Sequence, residues 1–153
     1  MPDATIRFTT RADVATLGRL LADPSFVAAG IPQVVAVETT GPTTALWTVE
    51  VKLGPITRKS LYRGELLEST PTGVRFRADG PEATIEGRVV FAPSATGGTE
   101  VEFTLSMKGL GPLHAVVDAY LAKRVRTDAE KFAKSLEERV GPAAPGTPSG
   151  SSV

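Results

Sequence analysis

The 153-residue sequence contains no cysteine. That absence removes disulfides, thiolate nucleophiles and cysteine-based zinc or iron–sulfur sites together. Histidine is nearly absent too: His114 stands alone, so no typical zinc site can be assembled and no metal is expected. Asparagine is missing altogether, and with it any N-glycosylation acceptor. No stretch reaches the roughly 18 consecutive apolar residues of a membrane-crossing helix. The opening Met1-Pro2-Asp3-Ala4-Thr5-Ile6-Arg7 lacks the charged-then-apolar layout of a secretory signal, so a cytoplasmic location is expected. An excess of one charge is also lacking. Seventeen Lys+Arg balance seventeen Asp+Glu, which argues against a nucleic-acid partner, since a basic surplus supplies most of that affinity. A G-x-S-x-G elbow, a phosphate loop and a dinucleotide fingerprint are all absent, and no cofactor is expected.

What is present is ordinary globular composition, 41% hydrophobic and 22% charged. The length suits one domain with a sizeable core. Residues 1–140 read as that folding unit. Nine of the last thirteen residues, 141–153, are Gly, Pro or Ser, so this segment is expected to be a disordered tail.

Thr5 to Thr9 alternate polar and apolar as a first strand does. Thr10-Arg11-Ala12-Asp13 offers a capping-box variant, with Thr10 as the cap. Val14, Leu17 and Leu21 follow at helical spacing, Pro24 ends that helix, and a second short helix fits Ser25 to Ala29. Six period-2 segments separated by Gly/Pro turns come next, around Val35–Thr39, Trp47–Leu53, Ile56–Leu67, Val74–Ala78, Ile85–Phe91 and Val101–Met107. They predict a meandering antiparallel sheet with one wet and one dry face. After Gly111-Pro112, with proline expected at the first helical position, the period changes. Leu113, Val116, Val117, Tyr120, Leu121, Val125, Ala129, Phe132 and Leu136 recur at three- and four-residue steps, predicting one long helix over the dry face.

Several segments carry a resemblance: Leu20-Leu21-Ala22-Asp23-Pro24 with Val27-Ala28-Ala29-Gly30-Ile31-Pro32, then Val49-Glu50-Val51-Lys52-Leu53-Gly54-Pro55-Ile56, Gly64, Gly87, Gly98-Thr99-Glu100-Val101 and Gly111-Pro112-Leu113. Across residues 4 to 140 the sequence resembles the helix-grip fold of the START-like, or SRPBCC, superfamily, and within it the CoxG family associated with carbon monoxide dehydrogenase. The resemblance implies an α+β domain: a curved seven-stranded antiparallel sheet wrapped around a long C-terminal helix, with two short helices after the first strand. It also implies an accessory role beside a molybdenum hydroxylase of the carbon monoxide dehydrogenase type, and an apolar ligand such as a quinone.

The residues can be weighed for that role. Trp47, Val49, Val51, Phe76, Val89, Phe103, Leu105, Met107, Val117, Tyr120 and Leu121 form an apolar set that is either packed core or cavity wall. Ile85 and Gly87 share its parity. Gly64 and Gly87 would thin the wall or let it bend. The strand after Gly54-Pro55 places Ile56, Arg58, Ser60 and Tyr62 on the inward face. Arg58, Ser60 and Tyr62 either line a cavity and orient a polar head group, or Arg58 snorkels at the sheet's end, or a bulge flips the parity. His114 could act as a base, against a plain surface histidine. Glu50, Glu86 and Glu102 face outward, as solvated residues. Lys59, Arg63, Arg75, Arg77 and Arg88 share the wet face with Glu65 and Glu86, as a mixed-charge surface or a patch for an acidic partner.

The expected function is non-catalytic binding of an apolar small molecule, quinone or other isoprenoid or aromatic. The alternatives are a polyketide cyclase/aromatase-like enzyme on the same fold and a protein–protein adaptor with a filled core. A redox enzyme complex is the expected partner. Without a net charge or an amphipathic tail, only weak or peripheral membrane association is expected, at the inner face.

Overall fold

The computed structural model describes residues 3–53, 55–95, 97–112 and 114–140. The expected tail, together with Gly54 and Leu113, lies outside the described residues. The elements run β1 (Asp3–Thr10), α1 (Val14–Leu21), α2 (Pro24–Ala28), β2 (Val34–Thr39), β3 (Thr44–Leu53), β4 (Ile56–Thr70), β5 (Gly73–Asp79), β6 (Ala83–Pro93), β7 (Thr99–Gly109) and α3 (His114–Val140). The seven strands form one antiparallel sheet in the order β1-β7-β6-β5-β4-β3-β2. The chain therefore meanders from β2 to β7, and β1 adds itself beside β7. This is the helix-grip arrangement, with α3 seated on β7 and β1.

Alternation decides which face is dry. In β5 the buried residues are Val74, Phe76 and Ala78, and in β7 they are Val101, Phe103, Leu105 and Met107. Their neighbours in register continue one apolar surface: Val74 opposes Val89, Phe76 opposes Gly87 and Gly87 opposes Leu105. From α3, Val117, Leu121, Val125, Ala129, Phe132 and Leu136 close onto that surface, and Phe132 stacks on Phe103 with ring centroids 4.1 Å apart. Such large, fully buried rings carry much of the fold's apolar burial. Val116, expected on the same stripe, is instead 55% exposed, because the contact arc of α3 begins one position later.

Two local expectations need correction. The cap of α1 is Asp13, whose carboxylate accepts from the Thr16 amide at 2.7 Å, not Thr10. Thr10 ends β1, and its hydroxyl accepts from the Ala12 amide in the intervening turn. At the other end, α3 starts at His114, so Pro112 precedes the helix rather than occupying its first position. Asp23 caps α2 in the same way as Asp13 caps α1, accepting from the Ser25 amide. The β6–β7 turn is held by Gly98, whose φ of +78° and close approach to the Thr10 carbonyl leave no space for a side chain.

The C-terminal end of α3 is tied to α2. Arg139 donates to the Phe26 carbonyl at 2.7 Å and lies over the Phe26 ring at 3.9 Å. Burial lowers the pKa of that guanidinium below the ordinary arginine value.

Candidate functional site

The β3–β4 register sets the polar end of the concave face. Trp47 opposes Tyr62, Val49 opposes Ser60 and Val51 opposes Arg58, with no irregularity between these strands. Directly opposed residues share a face, so the inward parity expected for Arg58, Ser60 and Tyr62 holds. Their environments differ sharply. Tyr62 is fully buried, Ser60 is half-buried and Arg58 is exposed. Arg58 therefore does not line the interior. It sits where β4 runs past β5, and its long side chain reaches water.

Tyr62 and Ser60 converge on a residue that the sequence pattern did not single out. Glu82 follows the Gly80-Pro81 turn between β5 and β6, and only 9% of it is exposed. Tyr62 Oη donates to Glu82 Oε1 at 3.0 Å, and Ser60 Oγ donates to Glu82 Oε2 at 3.1 Å. The backbone holds Glu82 in place: the Gly80 amide donates to the Ala83 carbonyl, and the Leu110 amide donates to the Glu82 carbonyl. Gly80 also makes room, since a Cβ there would run into the Tyr62 ring. One hydroxyl per carboxylate oxygen offsets much of the cost of burying the group.

Burial first, and then the Glu82 carboxylate, push the Tyr62 phenol far above its ordinary value of 10.0. The phenol stays protonated, with its hydrogen committed to Glu82. Outward, the cluster offers lone pairs: the unused sites on the Glu82 oxygens, and the oxygens of Tyr62 and Ser60. It is an acceptor-rich end in an apolar setting.

The apolar candidates belong to one buried core. Trp47, Val49, Val51, Phe76, Ile85, Val89, Phe103, Leu105, Met107, Val117 and Leu121 are all buried on the concave face or under α3, and Gly87 is among them. Tyr120 is half-buried at the margin, with the Arg124 guanidinium 5.7 Å from its ring centroid. The glycines behave otherwise than expected. A Cβ on Gly64 would run into the Trp47 indole, and one on Gly87 would run into the Phe76 ring. The rings lie down on the glycines, so these positions accommodate aromatic bulk rather than thin a wall. The indole nitrogen of Trp47, facing Gly64, is buried without a hydrogen-bond partner.

A second buried carboxylate lies on α3. Asp128 is fully buried and accepts from the Gln33 side-chain amide, while Arg124 stands 3.6 Å from its other oxygen. Loss of water raises its pKa above the ordinary 3.8, outweighing the lowering contributions of Gln33, Arg124 and Lys131. Gln33 and Arg124 border a surface groove of about 170 Å³ with Pro32, Val35, Glu50, Lys52 and Tyr120.

The remaining candidates stay apart from both clusters. His114 is exposed at the start of α3, its ring nitrogen 3.0 Å from the Gly111 carbonyl. Glu102 pairs with Arg7, and Glu86 with Arg77, on the convex face. Arg75 pairs with Glu68 and Arg77 with Asp79, which gives the mixed-charge surface its order. Among the described residues no group of three or more Asp, Glu or His could hold a metal, and no helix is long and apolar enough to cross a membrane.

Comparison with known proteins agrees with the architecture. Residues 1–141 match the family described as polyketide cyclase / dehydrase and lipid transport. Among solved structures, a conserved protein from Geobacillus kaustophilus is similar with a TM-score of 0.69 at 17% identity, covering 90% of this chain and 93% of that one. A START superfamily protein from Mycobacterium smegmatis is similar with a TM-score of 0.62 at 14% identity, covering 90% and 96%. The Zhui aromatase/cyclase from Streptomyces sp. R1128 is similar with a TM-score of 0.57 at 15% identity, covering 90% and 94%. These likenesses concern the fold. No curated protein matches the sequence.

Proposed function

The chain belongs to the polyketide cyclase/dehydrase and lipid transport family, and we propose that it is a non-catalytic member that binds an apolar small molecule between its concave sheet face and α3. One observation carries this reading: a hydrogen-bonded Ser60–Tyr62–Glu82 cluster set at the edge of an otherwise apolar interior. An apolar site with a few polar groups at one end is the usual form of a small-molecule pocket. Because the Tyr62 hydrogen is already given to Glu82, the cluster suits a head group that donates. A phenol, or a quinone in its reduced, hydroxyl-bearing form, fits better than a carbonyl. The accessory role beside a carbon monoxide dehydrogenase-type enzyme rests on the sequence resemblance to the CoxG family alone.

A second reading has its own support. Glu82 is a buried carboxylate within hydrogen-bond reach of a phenol, which an aromatase/cyclase-like enzyme could use as a base. Turnover of a poly-β-ketone thioester mimic that disappears in Glu82→Gln would favour it over simple binding.

The test of the binding reading is calorimetric titration with a long-chain alkylphenol and with a plain alkane-chain probe. Wild type should bind both, the phenol more tightly. Val89→Trp should stay folded and bind neither, because the added ring takes ligand space. If Val89→Trp unfolds the protein and wild type binds neither probe, the interior is filled and the adaptor reading replaces this one.

A further inference from the structure

The two sides of the sheet hold α3 unequally. The helix rests on β7 and β1, where Phe132 stacks on Phe103. On the other side, the described residues from 32 to 53 give it a single hydrogen bond, from the Gln33 side-chain amide to Asp128. That contact is poorly satisfied. Of the four buried side-chain polar atoms without a hydrogen-bond partner among the described residues, three belong to it: Gln33 Oε1, Asp128 Oδ1 and Arg124 Nε. Asp128 is 0% and Gln33 6% exposed, so the closed contact keeps water from groups that would gain by meeting it. A surface groove of about 170 Å³ reaches the contact from outside, with Gln33 and Arg124 in its walls beside Val35 and Tyr120. Register gives the way in. Gln33 directly precedes Val34, Val34 lies across from Val49, and Val49 lies across from Ser60. Two strand spacings, about 10 Å, thus separate the contact from the polar end at Ser60, Tyr62 and Glu82.

We propose that this contact is a gate: the seam between α3 and the start of β2 parts to admit the ligand to the concave face and closes behind it. The inference rests on the ligand reading above and names the entrance to that site. A contact that only held the helix would have its polar atoms matched, as those of Glu82 are. One that leaves three of them bare when closed lowers the cost of opening, because water or the passing polar head serves them in the open state. The apolar seat of α3 on β7 and β1 stays closed and forms the hinge side.

Stopped-flow mixing of the full chain with a long-chain alkylphenol, followed by the fluorescence of Trp47, the only tryptophan, tests it. Passage through a rarely open gate makes association and dissociation both proportional to the open population, while affinity is set by the closed complex. Gln33→Ala removes the amide that holds Asp128 and should speed both rates about tenfold or more, with Kd within about twofold of wild type. Asp128→Asn replaces the buried charge with an amide that can donate to Gln33 Oε1, and should slow both rates severalfold. Val101→Ala loosens the opposite side, where Val101 lies across from Phe8 of β1, and should leave both rates within about twofold. Thermal midpoints well above the assay temperature would show that the variants are folded. Equal acceleration in Gln33→Ala and Val101→Ala, or rates indifferent to Gln33 and Asp128, would overturn the gate and leave the ligand reading in place. A Kd changed through one rate alone would also overturn it, making Gln33 a ligand contact. No alkylphenol binding to wild type would remove the ligand reading, and the gate with it.

Discussion

Glu82 and Asp128 are both buried carboxylates, yet their surroundings treat them differently. Glu82 receives one hydroxyl on each oxygen, and both donors belong to a single strand, β4. Asp128 receives the Gln33 amide on one oxygen, while the other is without a hydrogen bond, as are Gln33 Oε1 and Arg124 Nε. The sheet site is matched, one donor to each oxygen. The helix site carries a desolvation cost that raises its pKa, and it joins two elements far apart in sequence, the segment before β2 and α3. One arrangement is suited to presenting lone pairs, the other to clasping the helix against the sheet edge.

The sharpest way to break this contrast is to remove what the two regions share. Phe132, stacked on Phe103, lies one turn after Asp128 and under the same helix, so Phe132→Ala should cost about 3–5 kcal/mol in chemical unfolding. A cost comparable to that of exposed Lys134→Ala, expected within about 0.5 kcal/mol, would mean α3 is not anchored there. Tyr62→Phe comes next. It leaves a Glu82 oxygen without its donor and should lower stability by about 1–3 kcal/mol, the cost of an unsatisfied buried polar group. A neutral result would show that water already serves Glu82.

Asp128→Asn should have the smallest effect near neutrality, and its information lies in the pH profile. A folded-state pKa raised above 3.8 means the native state holds the proton more tightly than the unfolded chain. The contribution of Asp128 to stability is therefore fullest below about 3.8 and is lost as pH rises through the folded value. Asp128→Asn should remove that decline, so above about 3.8 its stability should fall less, or rise more, with increasing pH than that of wild type. Unfolding midpoints measured across that range would decide it. An unchanged slope would mean the clasp is paired better than its geometry indicates.

Much of the fold was legible because each element repeats its signal. Period-2 alternation in β3 to β7 placed the dry face correctly, and the three- and four-residue steps from Val117 to Leu136 placed α3 on it. The site was less legible. Glu82 belongs to Asp79-Gly80-Pro81-Glu82, which reads as a solvated turn; only the bend of β5 into β6 turns its carboxylate toward Tyr62. Asp128 did leave a trace. It falls between Val125 and Phe132 on the apolar stripe, where a carboxylate needs a buried partner, but the partner, Gln33, is distant in sequence. Parity put Arg58 on the right face and could not show that β4 runs beyond β5 there, leaving the side chain in water, since strand overlap is a property of pairing. Nor could parity reveal that Gly64 and Gly87 lie beneath the rings of Trp47 and Phe76.

The central claim is that the Ser60–Tyr62–Glu82 end receives the donating head of an otherwise apolar ligand. The most direct measurement compares the affinity of a long-chain alkylphenol with that of its methyl ether, in wild type and in Glu82→Gln. The two ligands share their apolar surface and differ in one donated hydrogen. Wild type should prefer the phenol by roughly 0.5–1.5 kcal/mol or somewhat more, and Glu82→Gln should erase most of that preference while the ether's affinity stays nearly constant. Equal affinity of wild type for the two ligands, or a preference untouched by Glu82→Gln, would contradict the claim.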